Sequence, residues 1–242
     1  MTPMGVKGMR VELLDLSEGA IDLLYKAYRQ CYSSGFVADM KEEGEERKRA
    51  FLREMISSGH TSPLEHVKFT FAIEGVSRAL THQLVRYRIA SYSQQSQRYV
   101  NMEEFDYIIP PSIMAHEDLK EEFERVIEEI RRGYKRLLQG LKERGIKGEE
   151  AQQDARFLLP QATETKIVVT MNCRELLHFF SQRCCQRAQW EIRTLAERML
   201  KICQERLPVV FEGAGAKCQI LGYCPEGRFS CGRYPTKEEV LG

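Results

Sequence analysis

The sequence predicts an α+β fold, a mainly antiparallel sheet covered by helices, on three observations. Residues 66–74 (HVKFTFAIE) alternate apolar and polar side chains, as a half-buried strand does. Residues 166–170 are rich in β-branched side chains, which favour a second strand. Amphipathic helical patterns flank both strands. The length of 242 residues allows one domain or two, and 43% hydrophobic residues are ample for a core. Since the helices would cover a single sheet, we predict one domain over 1–242, with a Cys-containing tail at about 216–242.

Two helices are predicted ahead of the first strand. Residues 17–32 carry a helical apolar stripe, and Ser17 is placed to cap them. The charged residues 41–49 lead into a second helix, which Gly59 is expected to end.

A third helix is predicted directly after the first strand. Ser77 is expected to cap it, and the pattern continues to Arg88. At about 100° per residue, Gln83 and Arg86 would lie on one helix face. The residues that follow, to Tyr99, are predicted to form a polar loop.

The C-terminal half is predicted to be mainly helical. The longest apolar stripe covers 117–143, and a short helix is expected over 148–158. Asn172, followed three residues later by a glutamate, has the pattern of a capping box that opens a helix through Arg187. Another helix is expected to run to about Arg206, before a proline.

Composition limits the classes of function. The formal net charge of +1 gives no global field for holding a nucleic acid, so any positive potential must be local. No apolar run approaches the roughly 20 residues of a membrane span. The N-terminal residues lack the apolar core of a signal peptide. Eight cysteines are too few for a disulfide scaffold of this length, so we expect a cytoplasmic protein with reduced thiols.

The segment 75–102 is the strongest candidate for a binding site. It holds four arginines and no acidic residue, and within it 86–99 (RYRIASYSQQSQRY) alternates arginines with Ser, Gln and Tyr. Arginine matches phosphate geometry, hydroxyls add hydrogen bonds, and tyrosine rings stack on heterocycles. This combination favours a nucleotide-like anion, although a solvated helix end and polar loop would have the same charge pattern.

Two further segments are candidates. In 59–66 (GHTSPLEH) a rigid turn carries His60, Ser62 and Glu65, without a familiar metal-ligand spacing, and a solvated turn is the simpler interpretation. In 172–193, pairs of basic side chains four residues apart predict a helix with one basic face.

The tail contains Cys218, Cys224 and Cys231 within 14 residues. Three thiols suggest zinc, but the spacings are wider than CxxC pairs and a fourth ligand is missing. Cys203 or a histidine from elsewhere would have to complete the site. We therefore predict no metal, with packed or solvent-facing thiols as the alternative to zinc.

Several of these segments together resemble one family. Arg86-Tyr87-Arg88, followed by seven residues and Ser96, is similar to the RHR-x7-S signature of the flavin-dependent thymidylate synthases (ThyX family). HTSPLEH before FTF, ARFLLP, NCREL and HFFSQR…QRAQWEI also fall in that family's order, over about residues 10–215. Tyr87 departs from the signature, which has histidine there.

The resemblance implies an enzyme that converts dUMP to dTMP. Its cofactor would be FAD, with methylenetetrahydrofolate as carbon donor and NAD(P)H as reductant. It also implies a family-specific fold assembled as a homotetramer, with active sites at subunit interfaces. No protein cysteine would attack the pyrimidine, and the cysteines here lack the context of a nucleophile.

The resemblance also implies roles for individual residues. Arg183 would be catalytic, as a fixed cation that stabilises enolate-like charge on the pyrimidine, and the other residues would position ligands while the flavin supplies the chemistry. The expected dUMP contacts are Gln83, Arg86, Gln94, Gln95, Ser96, Gln97, Arg98, Arg156 and Arg183. The expected FAD contacts are His60, Ser62, Glu65, Arg86, Tyr87, Arg88, Ser93, Asn172, Arg174, His178 and Arg187.

Two alternatives remain open at this point. An enzyme of the same fold could methylate UMP, because little in the sequence indicates how the 2′ position is recognised. The arginine-tyrosine segment could instead serve a non-catalytic nucleotide or RNA binder as a stacking platform. The near-neutral net charge counts against RNA binding.

Overall fold

The structure is a computed structural model that describes residues 8–242. It contains a four-stranded sheet with the strand order β1-β2-β4-β3. Ser17 N donates to Lys68 O at 3.1 Å, and Cys173 N donates to Val67 O at 2.9 Å, so β1 and β4 both run antiparallel to β2. The strands are β1 (Arg10–Leu16), β2 (Lys68–Ser77), β3 (Ala90–Gln94) and β4 (Glu164–Asn172).

Helices account for most of the remaining described residues. Short 3-10 turns cover Val37–Asp39, Ser62–His66, Arg156–Leu158 and Gly227–Phe229. The α-helices are α1 (Ala20–Tyr32), α2 (Glu45–Ser57), α3 (Arg78–Leu84), α4 (Pro111–Met114), α5 (Glu117–Glu143), α6 (Gly148–Ala155), α7 (Cys173–Arg183), α8 (Trp190–Arg206), α9 (Pro208–Phe211), α10 (Lys217–Leu221) and α11 (Lys237–Leu241).

The residues of the described chain fall into two compact units. The first comprises the described residues up to Arg10, with Ile73–Val85 and Tyr92–Val168; the second comprises Val11–Ala72, Arg86–Ser91 and Val169–Gly242. The single domain predicted for 1–242 stays a prediction.

Each unit has its own apolar centre. In the first, the α5 side chains Ile127 and Tyr134 pack with Phe105, whose ring lies under the Arg131 guanidinium. In the second, Phe69 stacks on Phe71 with ring centroids 6.0 Å apart. Phe211 meets Phe69 edge to face, and Phe180 meets Phe211 in the same way. Aromatic packing of this kind adds to the free energy gained by burying the rings.

The helix and strand predictions are largely confirmed, and most of the errors concern the residues at which elements begin or end. The helix predicted for 117–143 is α5 without change, and the alternating strand is β2. Ser17 does not cap α1, because Gly19 occupies that position and Ser17 Oγ instead accepts from Lys68 N at 3.0 Å. Strand β1 was not predicted, and β3 replaces part of the expected polar loop.

Two helices end earlier than predicted. Ser77 caps α3 by accepting from Leu80 N at 3.0 Å, as predicted, but α3 ends at Leu84 and not at Arg88. Helix α7 ends at Arg183 and not at Arg187. Gln83 and Arg86 therefore do not share a helix face, and neither do Arg183 and Arg187.

Within residues 8–242, no helix combines the length and apolar character needed to cross a membrane.

Candidate active site

The C-terminal end of α7 holds Arg183 against Tyr87. Asn172 Oδ1 accepts from Glu175 N at 2.8 Å and so fixes the start of this helix. At its other end, Arg183 Nε donates to Tyr87 Oη at 2.8 Å, and the guanidinium carbon lies 5.5 Å from the centroid of the tyrosine ring. A hydrogen bond and a cation–π contact therefore orient the same cation.

The Tyr87 hydroxyl continues this contact into a chain. It donates to Gln182 Oε1 at 3.0 Å, and Gln182 Nε2 lies 3.1 Å from His178 Nε2. Because the amide oxygen of Gln182 accepts, its NH2 donates, and neutral His178 then carries its proton on Nδ1. Four side chains thus form one hydrogen-bonded line, which we call the Arg183 chain.

The environment keeps the Tyr87 phenol protonated. Tyr87 is only 5% exposed, and burial raises the pKa of its hydroxyl, with Arg183 acting in the opposite direction. The ring also packs edge to face on Phe179, with centroids 4.9 Å apart. A protonated, packed phenol can donate to Gln182 while it accepts from Arg183.

A cavity of about 350 Å³ lies in the second unit beside α7. Arg174 and His178 of α7 line it, with Asn172 at the start of the helix and Glu65 opposite. Glu65 Oε1 and Arg174 Nη1 form an ion pair whose two side chains are about half exposed. Four predicted flavin contacts thus line one cavity, with one fixed cation and several hydrogen-bonding groups.

His60 and Ser62 lie together in the turn before β2. His60 Nδ1 is 2.9 Å from Tyr32 Oη, and His60 Nε2 is 3.2 Å from Ser62 Oγ. The Tyr28 hydroxyl donates to the His60 carbonyl at 2.7 Å. Helix α1 therefore holds this predicted part of the flavin site in place.

The other predicted flavin contacts are more dispersed. Arg187 Nη1 donates to Phe229 O at 2.9 Å, and its guanidinium lies 4.9 Å from the centroid of that ring. Arg86 and Arg88 follow α3 in the chain, belong to the second unit and are exposed. Ser93 belongs to the first unit and is exposed on β3.

In the first unit, the predicted nucleotide contacts 94–98 begin at Gln94, the last residue of β3. Gln94 Nε2 donates to Thr81 Oγ1 at 3.0 Å, and Gln95 N donates to the Lys166 carbonyl at 2.9 Å. These bonds fix the backbone from which the next residues extend. Gln97 Nε2 is buried without a hydrogen-bond partner among residues 8–242, which fits a donor available to a ligand.

Ser96 and Arg98 also have contacts within the first unit. Ser96 Oγ accepts from Arg98 N at 3.2 Å. The Arg98 guanidinium pairs with Glu149 of α6, and both side chains are close to half exposed. Gln83, on α3, is partly buried.

Arg78 is a further candidate residue that the sequence did not single out. It is the first residue of α3. Burial lowers the pKa of its guanidinium most, and the positive charge of Arg156 lowers it further. Within the described chain, neither guanidinium has a carboxylate within 4.0 Å. Two neighbouring cations without a counter-ion favour binding of an anion. Arg78 stood in the arginine-rich segment, but only folding brings it near Arg156.

Cysteines line a second cavity at the end of α7, of about 300 Å³. Cys185, Cys218 and Cys224 share it with Arg183 and Arg187. Burial raises the pKa of Cys218, as do the neighbouring Cys185 and Cys224. Among residues 8–242 there is no group of three or more His, Cys, Asp or Glu side chains arranged to hold a metal. The zinc alternative for Cys218, Cys224 and Cys231 gains no support here.

None of the three core cysteines has the environment of a nucleophile. Cys173, Cys184 and Cys203 are buried, and burial raises the pKa of each thiol, that of Cys184 to about 12. A thiol with a raised pKa carries little thiolate at neutral pH and reacts slowly.

The described chain therefore has two neighbouring arginines, Arg78 and Arg156, in its first unit. In its second unit, Glu65, Asn172, Arg174 and His178 line one cavity. The sequence matches the family described as thymidylate synthase complementing protein over residues 12–209. A flavin-dependent thymidylate synthase of Nitratidesulfovibrio vulgaris is 56% identical, covering 96% of this chain and 97% of the relative. One from Clostridium tetani is 46% identical over the same shares.

A solved structure is also similar. It is a UMP/dUMP methylase from Streptomyces cacaoi bound with 5-Br dUMP, 25% identical, with a TM-score of 0.70 over 85% of this chain and 94% of that chain. The chain therefore belongs to the flavin-dependent thymidylate synthase family. The family prediction and the prediction of an enzyme are confirmed, and the non-catalytic alternative is disfavoured.

Proposed function

We propose that this chain catalyses the reductive methylation of dUMP to dTMP. FAD would serve as redox mediator, methylenetetrahydrofolate as carbon donor and NAD(P)H as reductant. The observation that carries the proposal is the match to flavin-dependent thymidylate synthases over nearly the whole chain, 56% identical in one case. The eight free thiols agree with a reducing, cytoplasmic location, which we propose with it.

Arg183 would stabilise charge on the pyrimidine. A guanidinium beside a carbonyl oxygen lowers the energy of enolate-like charge as carbon 5 becomes nucleophilic. The two contacts to Tyr87 support this role, because an oriented cation needs little reorganisation during the reaction.

The nucleotide phosphate would bind to groups of the first unit. Arg156 and Arg78 offer two cations without carboxylate partners within the described residues, and Gln97 offers an unsatisfied amide donor. Arg98 would exchange Glu149 for the phosphate, and Ser96 would add a neutral hydrogen bond. Gln83, Arg86, Gln94 and Gln95 complete the proposed dUMP contacts.

The residues beside α7 fit a flavin. The cavity lined by Glu65, Asn172, Arg174 and His178 offers a cation and hydrogen-bonding groups to a dinucleotide. When bound, the flavin supplies the redox chemistry of carbon and hydride transfer. The protein would bind and orient it; the remaining proposed contacts are His60, Ser62, Arg86, Tyr87, Arg88, Ser93 and Arg187.

We also propose a homotetramer with active sites at subunit interfaces. Large apolar side chains directly follow three of the proposed site arginines: Phe157 is 86% exposed, Tyr99 67% and Ile89 62%. Exposed apolar groups beside binding residues are typical of surfaces that another subunit covers.

UMP is the second candidate substrate. It is favoured by one observation, the similarity to a solved UMP/dUMP methylase. Turnover with FAD, methylenetetrahydrofolate and NADPH, offered dUMP and UMP in competition, separates the two. The proposal predicts dTMP as the main product; preferential methylation of UMP would establish the alternative, and no methylation of either would overturn both.

A further inference from the structure

The residue that replaces histidine in the family signature is bonded to Arg183. Tyr87 Oη is 2.8 Å from Arg183 Nε and 3.0 Å from Gln182 Oε1, so both hydrogen-bonding directions of the hydroxyl are used within the protein. Since only 5% of the residue is exposed, the proposed flavin contact of Tyr87 would be confined to a small part of its side chain. These contacts indicate that the Tyr87 hydroxyl holds the Arg183 side chain.

We propose that Tyr87 is a positioning residue that orients the Arg183 guanidinium toward the pyrimidine. This inference rests on the proposed function, because it takes Arg183 as the group that stabilises charge on the substrate. Nε of Arg183 is bonded to the hydroxyl and the guanidinium carbon lies 5.5 Å from the ring centroid, and neither contact uses a hydrogen of the Nη groups, which can then face a ligand.

The Arg183 chain explains why tyrosine fits this position. A tyrosine supplies an acceptor for Arg183 and a donor for Gln182 from a single oxygen, and Gln182 in turn meets His178 on the wall of the flavin cavity. The side chain also packs on Phe179, which is fully buried. Rotation of Tyr87 would therefore require the core of α7 to shift.

The test is a double-mutant cycle with Tyr87→Phe, Arg183→Lys and the double variant, assayed as flavin-loaded enzyme. Phenylalanine keeps the ring but loses the hydroxyl; lysine keeps the charge but loses Nε–H and the planar fork. We expect Tyr87→Phe to lower kcat about tenfold, the cost of one lost hydrogen bond to a charged group, with a smaller change in KM for dUMP.

Coupling between the two sites is the decisive result. In the Arg183→Lys background, Tyr87→Phe should have almost no further effect, because the bond it removes is already absent. Additive effects, or an unchanged kcat in Tyr87→Phe alone, would overturn the inference. Where turnover of Arg183→Lys is too slow to measure, the same cycle on the dUMP dissociation constant decides between these outcomes.

Two controls separate this inference from folding and from the proposed function. Tyr134→Phe removes a fully buried hydroxyl from α5, outside the proposed site, and should leave kcat unchanged. Thermal unfolding of each variant reports on loss of structure. If Arg183→Lys turns over dUMP like the wild type, the role of Arg183 fails; if only Tyr87→Phe does so, the positioning role alone fails.

Discussion

Arginines of the two units differ in how the protein holds them. In the second unit, Arg183 is bonded through Nε and packed against the Tyr87 ring. In the first unit, Arg156 and Arg78 lie near each other without carboxylate partners in the described chain, and Arg98 is paired with an exposed glutamate. A cation fixed before the ligand arrives suits catalysis, whereas cations that can move to an anion suit substrate binding.

The largest effect should come from the fixed cation. Arg183→Ala is expected to lower kcat for dTMP formation by roughly 10²–10³-fold, as loss of a preorganised electrostatic group does. The fold should persist, since Arg183 is a partly exposed residue at a helix end. Arg132→Ala, on the exposed side of α5, is the matched control. Unchanged dTMP formation in Arg183→Ala would show that Arg183 has no catalytic role.

The next effect should be on binding. Arg156→Ala is expected to weaken dUMP binding by roughly 10- to 100-fold, the value of a charge-assisted hydrogen bond. Titration with dUMP and with deoxyuridine, which lacks the phosphate, locates the contact. An equal loss for both ligands would show that Arg156 does not bind the phosphate.

Ser96→Ala should have a smaller effect. Loss of one neutral hydrogen bond costs about 1 kcal/mol, or roughly a fivefold weaker binding of dUMP. Part of this cost would come from the turn itself, because Ser96 Oγ accepts from Arg98 N. The dissociation constant of dUMP reports the loss of the nucleotide bond and of the turn bond together. If it does not change, Ser96 has no contact with the nucleotide.

The smallest predicted effect is a tighter binding of dUMP, where the two preceding variants weaken it. Glu149→Gln removes the carboxylate that competes for Arg98 and is expected to tighten dUMP binding about twofold, since an exposed ion pair contributes about 0.2–1 kcal/mol. The gain should shrink in high salt. Weaker binding in this variant would mean that the pair holds Arg98 in its binding position.

Local patterns predicted the regular elements well. The stripe of 117–143 and the alternation of β2 each report burial on one face, which a sequence shows directly. Strand β3 was taken as a loop because SYSQ lacks apolar alternation; its pairing beside β4 comes from the sheet. The ends of α3 and α7 were missed because Arg, Tyr and Cys continue a helical pattern without a glycine or proline.

The residues of the candidate site could be predicted from the sequence, but the contacts between them could not. The family-like segments NCREL and HFFSQR pointed to Arg174, His178 and Arg183 as candidates, and α7 places the first two on one cavity wall. The bond from Arg183 to Tyr87 joins residues 96 positions apart, so only the fold reveals it. The proximity of Arg78 to Arg156 is hidden for the same reason.

The most direct test of the account is a visible absorption spectrum of the protein after mixing with FAD and desalting, followed by titration with dUMP. We predict a retained flavin spectrum that dUMP perturbs, because the proposed reaction requires the flavin to react with the bound nucleotide. A colourless protein, or a bound flavin whose spectrum does not respond to dUMP, would contradict the proposed chemistry.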